Sequence, residues 1–150
     1  MGAIIRRQAF LLGGGFVALT VLPMAANAEP SNDAAELIKK FTGGKEAAKG
    51  KITLDLPEIA ENGNTVPLAL TVESPMTAEN YVKEVLFVAD GNPNAGVATL
   101  MFTPMSGKAE ASIRIRLAQT QNVIAVAKMS DGSLFTERKT VKVTIGGCGG

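Results

Sequence analysis

The chain has 150 residues, of which 46% are apolar, 19% charged and 5% aromatic, and its formal net charge is +1. It contains no His, no Trp and a single Cys. Without His, a Ser-His-Asp triad, a Cys-His pair and a zinc site built on imidazole are excluded, and one Cys permits neither an internal disulfide nor a CxxC pair. Near-neutral charge argues against a nucleic-acid protein, whose affinity needs a basic footprint. The length suits one domain, and the composition points away from a self-sufficient enzyme.

Residues 1–28 read as an export signal. Arg6 and Arg7 form a short basic region, an uncharged apolar stretch runs from Ala9 to Ala26, and Ala26-Asn27-Ala28 supplies a small-x-small cleavage site. The paired arginines point to the twin-arginine route, and Gly13-Gly14-Gly15 lowers the hydrophobicity of the apolar region in keeping with it. Phe10 lies one residue later than that motif usually places it, and Ile5 stands where Ser or Thr is common. An ordinary two-arginine signal and an uncleaved anchor are the alternatives to a cleaved twin-arginine leader. Cleavage after Ala28 removes two of 15 basic residues and leaves 13 against 14 acidic ones, a net charge of −1 on a 122-residue remainder. That remainder is long enough to bury one core.

Residues 29–50 read as a helix and linker. In DAAELIKKF (33–41), Asp33 and Glu36 stand in a capping-box relation, Leu37, Ile38 and Phe41 share a face, and Gly43-Gly44 stop the helix. From residue 51 the apolar period becomes two. Strands are predicted over 52–56, 65–73, 82–90, 97–103, 109–118, 122–129 and 134–145. Turn signals separate them at Asn62-Gly63, Gly91-Asn92-Pro93-Asn94, Ser106-Gly107-Lys108 and Asp131-Gly132. Pro67 confines the second strand to an edge or marks a bulge. Seven short strands without intervening helices imply an all-β, antiparallel immunoglobulin-like sandwich over 51–145.

Other motifs fail on inspection. Asp90-Gly91-Asn92-Pro93-Asn94 opens like a calcium loop but has Ala95 at position six and Met101 at position twelve, so it reads as a turn. Gly43-Gly44-Lys45 lacks phosphate-loop spacing. Asp55, Glu58 and Glu61 have no basic or metal partner in sequence and read as solvated, as do Arg114 and Arg116 on one strand face. No metal site is expected.

The carboxyl terminus carries the chemistry. Gly146-Gly147-Cys148-Gly149-Gly150 flanks the lone Cys with two glycines on each side. Glycines have the widest backbone freedom, so 146–150 is expected to be a mobile arm, which fully extended would carry Cys148 about 10 Å beyond Ile145. No helix N-terminus, cation or metal adjoins the thiol in sequence to lower its pKa. It therefore suits a handle loaded and unloaded in the active sites of other proteins. An incidental Cys in a disordered tail, and an intermolecular disulfide through Cys148 in an exported assembly or adhesion module, are the competing readings. A thiol-disulfide enzyme would need a second cysteine.

VKVTIGGCGG (141–150) resembles the signature terminus of the SoxY family, the sulfur carriers of the periplasmic thiosulfate-oxidising Sox system. The resemblance continues through DLPEIAENGNTVPL (55–68), DGNP (90–93), IRIRLAQTQNVIAVAKMSDG (113–132) and the double-arginine leader. It implies that Cys148 joins covalently to the sulfane sulfur of thiosulfate, with no cofactor of the chain's own. It further implies a SoxZ-like partner in a heterodimer. A c-type haem SoxAX-like protein would couple the sulfur, a SoxB-like hydrolase release sulfate, and a SoxCD-like dehydrogenase oxidise what remains. Localisation in the periplasm follows, with neither nucleic acid nor, after cleavage, membrane as a partner.

Overall fold

The computed structural model describes residues 32–147; the leader residues Arg6, Arg7, Ala26 and Ala28, and the terminal Cys148, Gly149 and Gly150, lie outside the described residues. A helix, α1 (Ala34–Thr42), is followed by nine strands. These are β1 (Ala48–Lys49), β2 (Ile52–Asp55), β3 (Ile59–Asn62), β4 (Val66–Val72), β5 (Val82–Ala89), β6 (Gly96–Met101), β7 (Ala109–Ile115), β8 (Gln121–Met129) and β9 (Leu134–Ile145). Six form one sheet, ordered β1-β9-β8-β5-β6 with β3 also on β9, and three form the other, ordered β2-β4-β7. The two sheets enclose a core that includes Leu54, Val66, Leu68, Leu70, Val85, Phe87, Leu117 and Val141. The expected two-layer β-sandwich with a short leading helix is thus the fold.

Two features depart from the expected all-antiparallel, seven-strand arrangement. β1 and β3 are additional, and both pair parallel to β9, at Ala48↔Phe135 and at Ile59↔Lys142 through Asn62↔Ile145. At two residues β1 is too short to show a period of two, and β3 buries only Ala60, so its four residues carry no apolar alternation. The chain crosses between sheets from β1 to β2 through Gly50 (φ 107°) and Lys51 (φ 62°). Lys51 is a non-glycine residue in the left-handed region; its ammonium lies 4.9 Å from the centroid of Phe135.

Pro67 sits in β4, the middle strand of the smaller sheet, and its place there has a simple reason. β2 reaches only Ala69 along β4, whereas β7 continues to Val66, so β4 has a strand neighbour on one side only at Pro67. A missing N–H is tolerated where a ladder has ended.

α1 covers the outer face of the larger sheet. Leu37, Ile38 and Phe41 pack against Leu86, Val88, Ile124 and Val126, the outward-facing residues of β5 and β8. Those strands are therefore buried on both sides over Val85–Ala89 and Val123–Ala127, which is why the sequence there is continuously apolar rather than alternating. Gly43 stops the helix in the left-handed conformation (φ 66°), as expected. The capping box does not form: Asp33 makes no side-chain cap bond. Its Oδ1 instead accepts from the Ala95 N–H (3.3 Å), while Asn32 Oδ1 accepts from the Ala34 N–H (3.2 Å). Among the described residues, no helix is long and apolar enough to cross a membrane.

A buried polar knot joins the β5–β6 turn to the β7–β8 connection. Asn92, only 3% exposed, donates from Nδ2 to the Arg116 carbonyl (2.9 Å) and accepts at Oδ1 from the Ala118 N–H (2.9 Å) and Gln121 Nε2 (2.7 Å). Gln121 in turn accepts from the Gly91 N–H (2.8 Å), and Asn32 Nδ2 donates to the Asn92 carbonyl (2.6 Å). Buried amides are tolerable only when satisfied in this way. Replacing Asn92 by Leu leaves the Ala118 N–H and Arg116 carbonyl without their partner, and should cost about 1–3 kcal/mol for each group left unsatisfied. Urea unfolding of the variant beside the parent measures this; an unchanged midpoint would remove the structural role.

The β8–β9 hairpin supplies a pH handle. Asp131 is held below the ordinary carboxylate range by the Ser133 hydroxyl and then by the Ser133 N–H, both of which donate to its Oδ1. A depressed folded-state pKa contributes stability that is present above the unfolded value and is lost as pH falls through the folded one. In an NMR titration the Asp131 carboxyl should have its midpoint below that of the same group in the unfolded chain, and Ser133→Ala should raise it.

Candidate functional site: the glycine-lined carboxyl terminus

β9 outruns its neighbour. Its pairing with β8 ends at Gln121↔Val141, and Lys142–Ile145 turns to other partners. On one side it runs parallel to β3, with the Lys142 N–H donating to the Glu58 carbonyl (2.9 Å). On the other it follows the β7–β8 connection, where the Val143 N–H donates to Thr120 Oγ1 (2.9 Å).

Beyond Ile145 the backbone bonds continue without side chains. The Gly63 N–H donates to the Ile145 carbonyl (2.7 Å), the Leu117 N–H to the Gly63 carbonyl (2.8 Å), and the Gly147 N–H to the Leu117 carbonyl (2.9 Å). Gly63 and Gly147 are buried. A Cβ on Gly63 would stand 2.2 Å from the Leu117 carbonyl oxygen, one on Gly146 would stand 2.1 Å from that of Ala118, and one on Gly147 would stand 2.7 Å from that of Gly63. Glycine is required at all three places by contact, since any side chain would drive into backbone.

Gly146 and Gly147 therefore depart from the expectation of a free arm beginning after Ile145: they are docked between Gly63 and the Leu117–Ala118 segment. Sequence reasoning treats a Gly-Gly pair as freedom because the partners that confine it lie some 30 and 80 residues away. Gly63 itself is legible in sequence only as half of an Asn-Gly turn. Cys148, Gly149 and Gly150 lie outside the described residues.

Around this end the surface is partly apolar and mixed in charge. Ile145 is 65% and Ile59 is 59% exposed, and Glu58, Ile59, Lys139, Thr140 and Lys142 line one shallow depression. Arg114 and Arg116 are exposed, as are Asp55, Glu58 and Glu61. Among the described residues, no group of three or more His, Cys, Asp or Glu side chains is arranged to hold a metal ion.

Known proteins place this architecture. Residues 38–148 match the family described as "Sulfur oxidation protein SoxY". Among solved structures, the sulfur carrier protein SoxY from Chlorobium limicola f thiosulfatophilum superposes with a TM-score of 0.60 at 29% identity, covering 74% of this chain and 96% of its own. A superoxide reductase (neelaredoxin) from Ignicoccus hospitalis gives 0.55 at 17% identity over 63% and 80% of the two chains. The superoxide reductase from Nanoarchaeum equitans gives 0.54 at 11% over 63% and 99%. At those identities the two reductases share the sandwich and nothing further is read from them. No curated protein matches the chain. With the family match spanning most of its length and ending on the lone cysteine, the chain belongs to the SoxY family of sulfur oxidation proteins.

Proposed function

We propose that the chain is the non-catalytic sulfur carrier of a thiosulfate-oxidising system, with Cys148 as the covalent attachment point. The observation that carries this reading is the family match, which runs through the whole sandwich and ends at the only cysteine of the chain. The likeness to a solved sulfur carrier supports it.

The chemistry asks for a thiol and little else from this chain. Coupling forms one S–S bond between Cys148 Sγ and the sulfane sulfur of thiosulfate. The thiol proton is released and two electrons pass to a c-type haem partner. Hydrolysis then cleaves the bond between that sulfane sulfur and the sulfone. Water supplies the fourth oxygen of sulfate, two protons are released, and a persulfide stays on Cys148. A hydrolase partner carries out that step, and a dehydrogenase partner oxidises the persulfide sulfur further.

Each step needs the same sulfur in a different active site, which favours a carrier presented at a chain end over one sunk in a core. The remaining parts of the proposal are a heterodimer with a SoxZ-like sandwich and export to the periplasm behind the leader containing Arg6, Arg7, Ala26 and Ala28.

Intact-mass measurement of the protein, purified without reductant from cells grown with and without thiosulfate, tests the reading. The expected result is a reductant-labile, sulfur-containing adduct on the Cys148 peptide only with thiosulfate, lost in Cys148→Ser while the stability stays within about 0.5 kcal/mol of the parent. A bare thiol, or only a disulfide-linked dimer, in both samples would overturn it.

A further inference from the structure

Glycines from two distant parts of the chain, Gly63 and the adjacent Gly146-Gly147, meet where β9 ends, and backbone hydrogen bonds join them. Ile145, Gly63, Leu117 and Gly147 form a relay in which each carbonyl accepts from the next N–H, at 2.7, 2.8 and 2.9 Å. Gly63 is the centre of it, giving its N–H to β9 and its carbonyl to the β7–β8 connection. That connection is itself braced by Asn92, which holds Arg116 and Ala118 on either side of Leu117. The relay is thus tied to the buried polar knot.

We propose that Gly63 is a positioning residue for the sulfur-bearing terminus: the relay it centres clamps the chain as far as Gly147 and so fixes the place from which Cys148 is presented. The inference rests on the carrier reading above. An arm free from Ile145 would allow Cys148 about 10 Å of reach, whereas one anchored at Gly147 allows about 3.5 Å. Anchoring at Gly147 therefore shortens the tether on which a partner enzyme docked on the sandwich must find the sulfur. Proximity of this kind is sensitive to displacements of about 1 Å.

Gly63 offers a test that the glycines of the terminus cannot. A methyl group there opens the clamp, through its 2.2 Å approach to the Leu117 carbonyl oxygen, yet adds no bulk to the segment that enters a partner. In amide exchange followed by NMR on the full chain, the Gly147 N–H should exchange at least about tenfold more slowly than that of Gly149; equal rates would overturn the clamp.

In Gly63→Ala the Gly147 protection should vanish while Phe87 and Val126 stay protected. Thiosulfate loading by the haem partner should then fall at least about tenfold in kcat/KM, with alkylation of Cys148 by iodoacetamide unchanged. Loading at the parent rate with the clamp open would refute the positioning role. Should Gly63→Ala not fold, Gly147→Ala takes its place, read against Gly149→Ala as a control for bulk beyond the clamp. An equal fall in both would assign the effect to threading and overturn the proposal. Absence of any adduct on the unsubstituted chain would sink the carrier reading and the positioning role with it, whereas amide exchange judges the clamp alone.

Discussion

Backbone groups that leave a sheet must find other partners, and the end of β9 is organised around that requirement. β8 accompanies β9 only as far as Val141, yet β9 runs on to Ile145. β3 takes up one flank in parallel, Thr120 caps Val143 on the other, and Gly63 and Leu117 receive what remains. The excursion of the chain into the larger sheet at Ile59–Asn62, between two strands of the smaller one, is explicable by this need. The same excursion brings Gly63 to the terminus.

This end of the fold is backed by a sheet packed on both faces. Phe87 and Val85 are fully buried on the inner face of β5, while α1 seals Leu86 and Val88 on the outer face. The sheet is thus covered on both sides, and the polar knot around Asn92 ties the β5–β6 turn to the β7–β8 connection. Surface ion pairs add little: Lys40–Glu36 and Lys108–Glu110 are exposed at both ends, where such pairs contribute about 0.2–1 kcal/mol.

On the proposed carrier reading the terminus faces opposed demands: entering several active sites favours thinness, and being found quickly favours a small search volume. Glycine meets both here for different reasons. Gly146 and Gly147 are glycines because backbone lies within 3 Å of where their side chains would begin, so the same residue type that promises looseness in a sequence provides close docking in the folded chain.

Much of this is legible in the sequence. Alternation in 109–118 announces a strand with Ile113, Ile115 and Leu117 on one face, of which β7 spans Ala109–Ile115; Gly43 announces the helix end and Asp131-Gly132 the hairpin, because each depends on neighbours within a few residues. The lone Cys between paired glycines is the candidate attachment point that the sequence offers, and it lies outside the described residues. The partners of Gly146 and Gly147, the parallel placement of β1 and β3, the diversion of Asp33 to Ala95 and the burial of Asn92 were decided only by tertiary structure. In each case the deciding contact joins residues far apart in sequence, where local periodicity and turn chemistry carry no information about what will lie alongside.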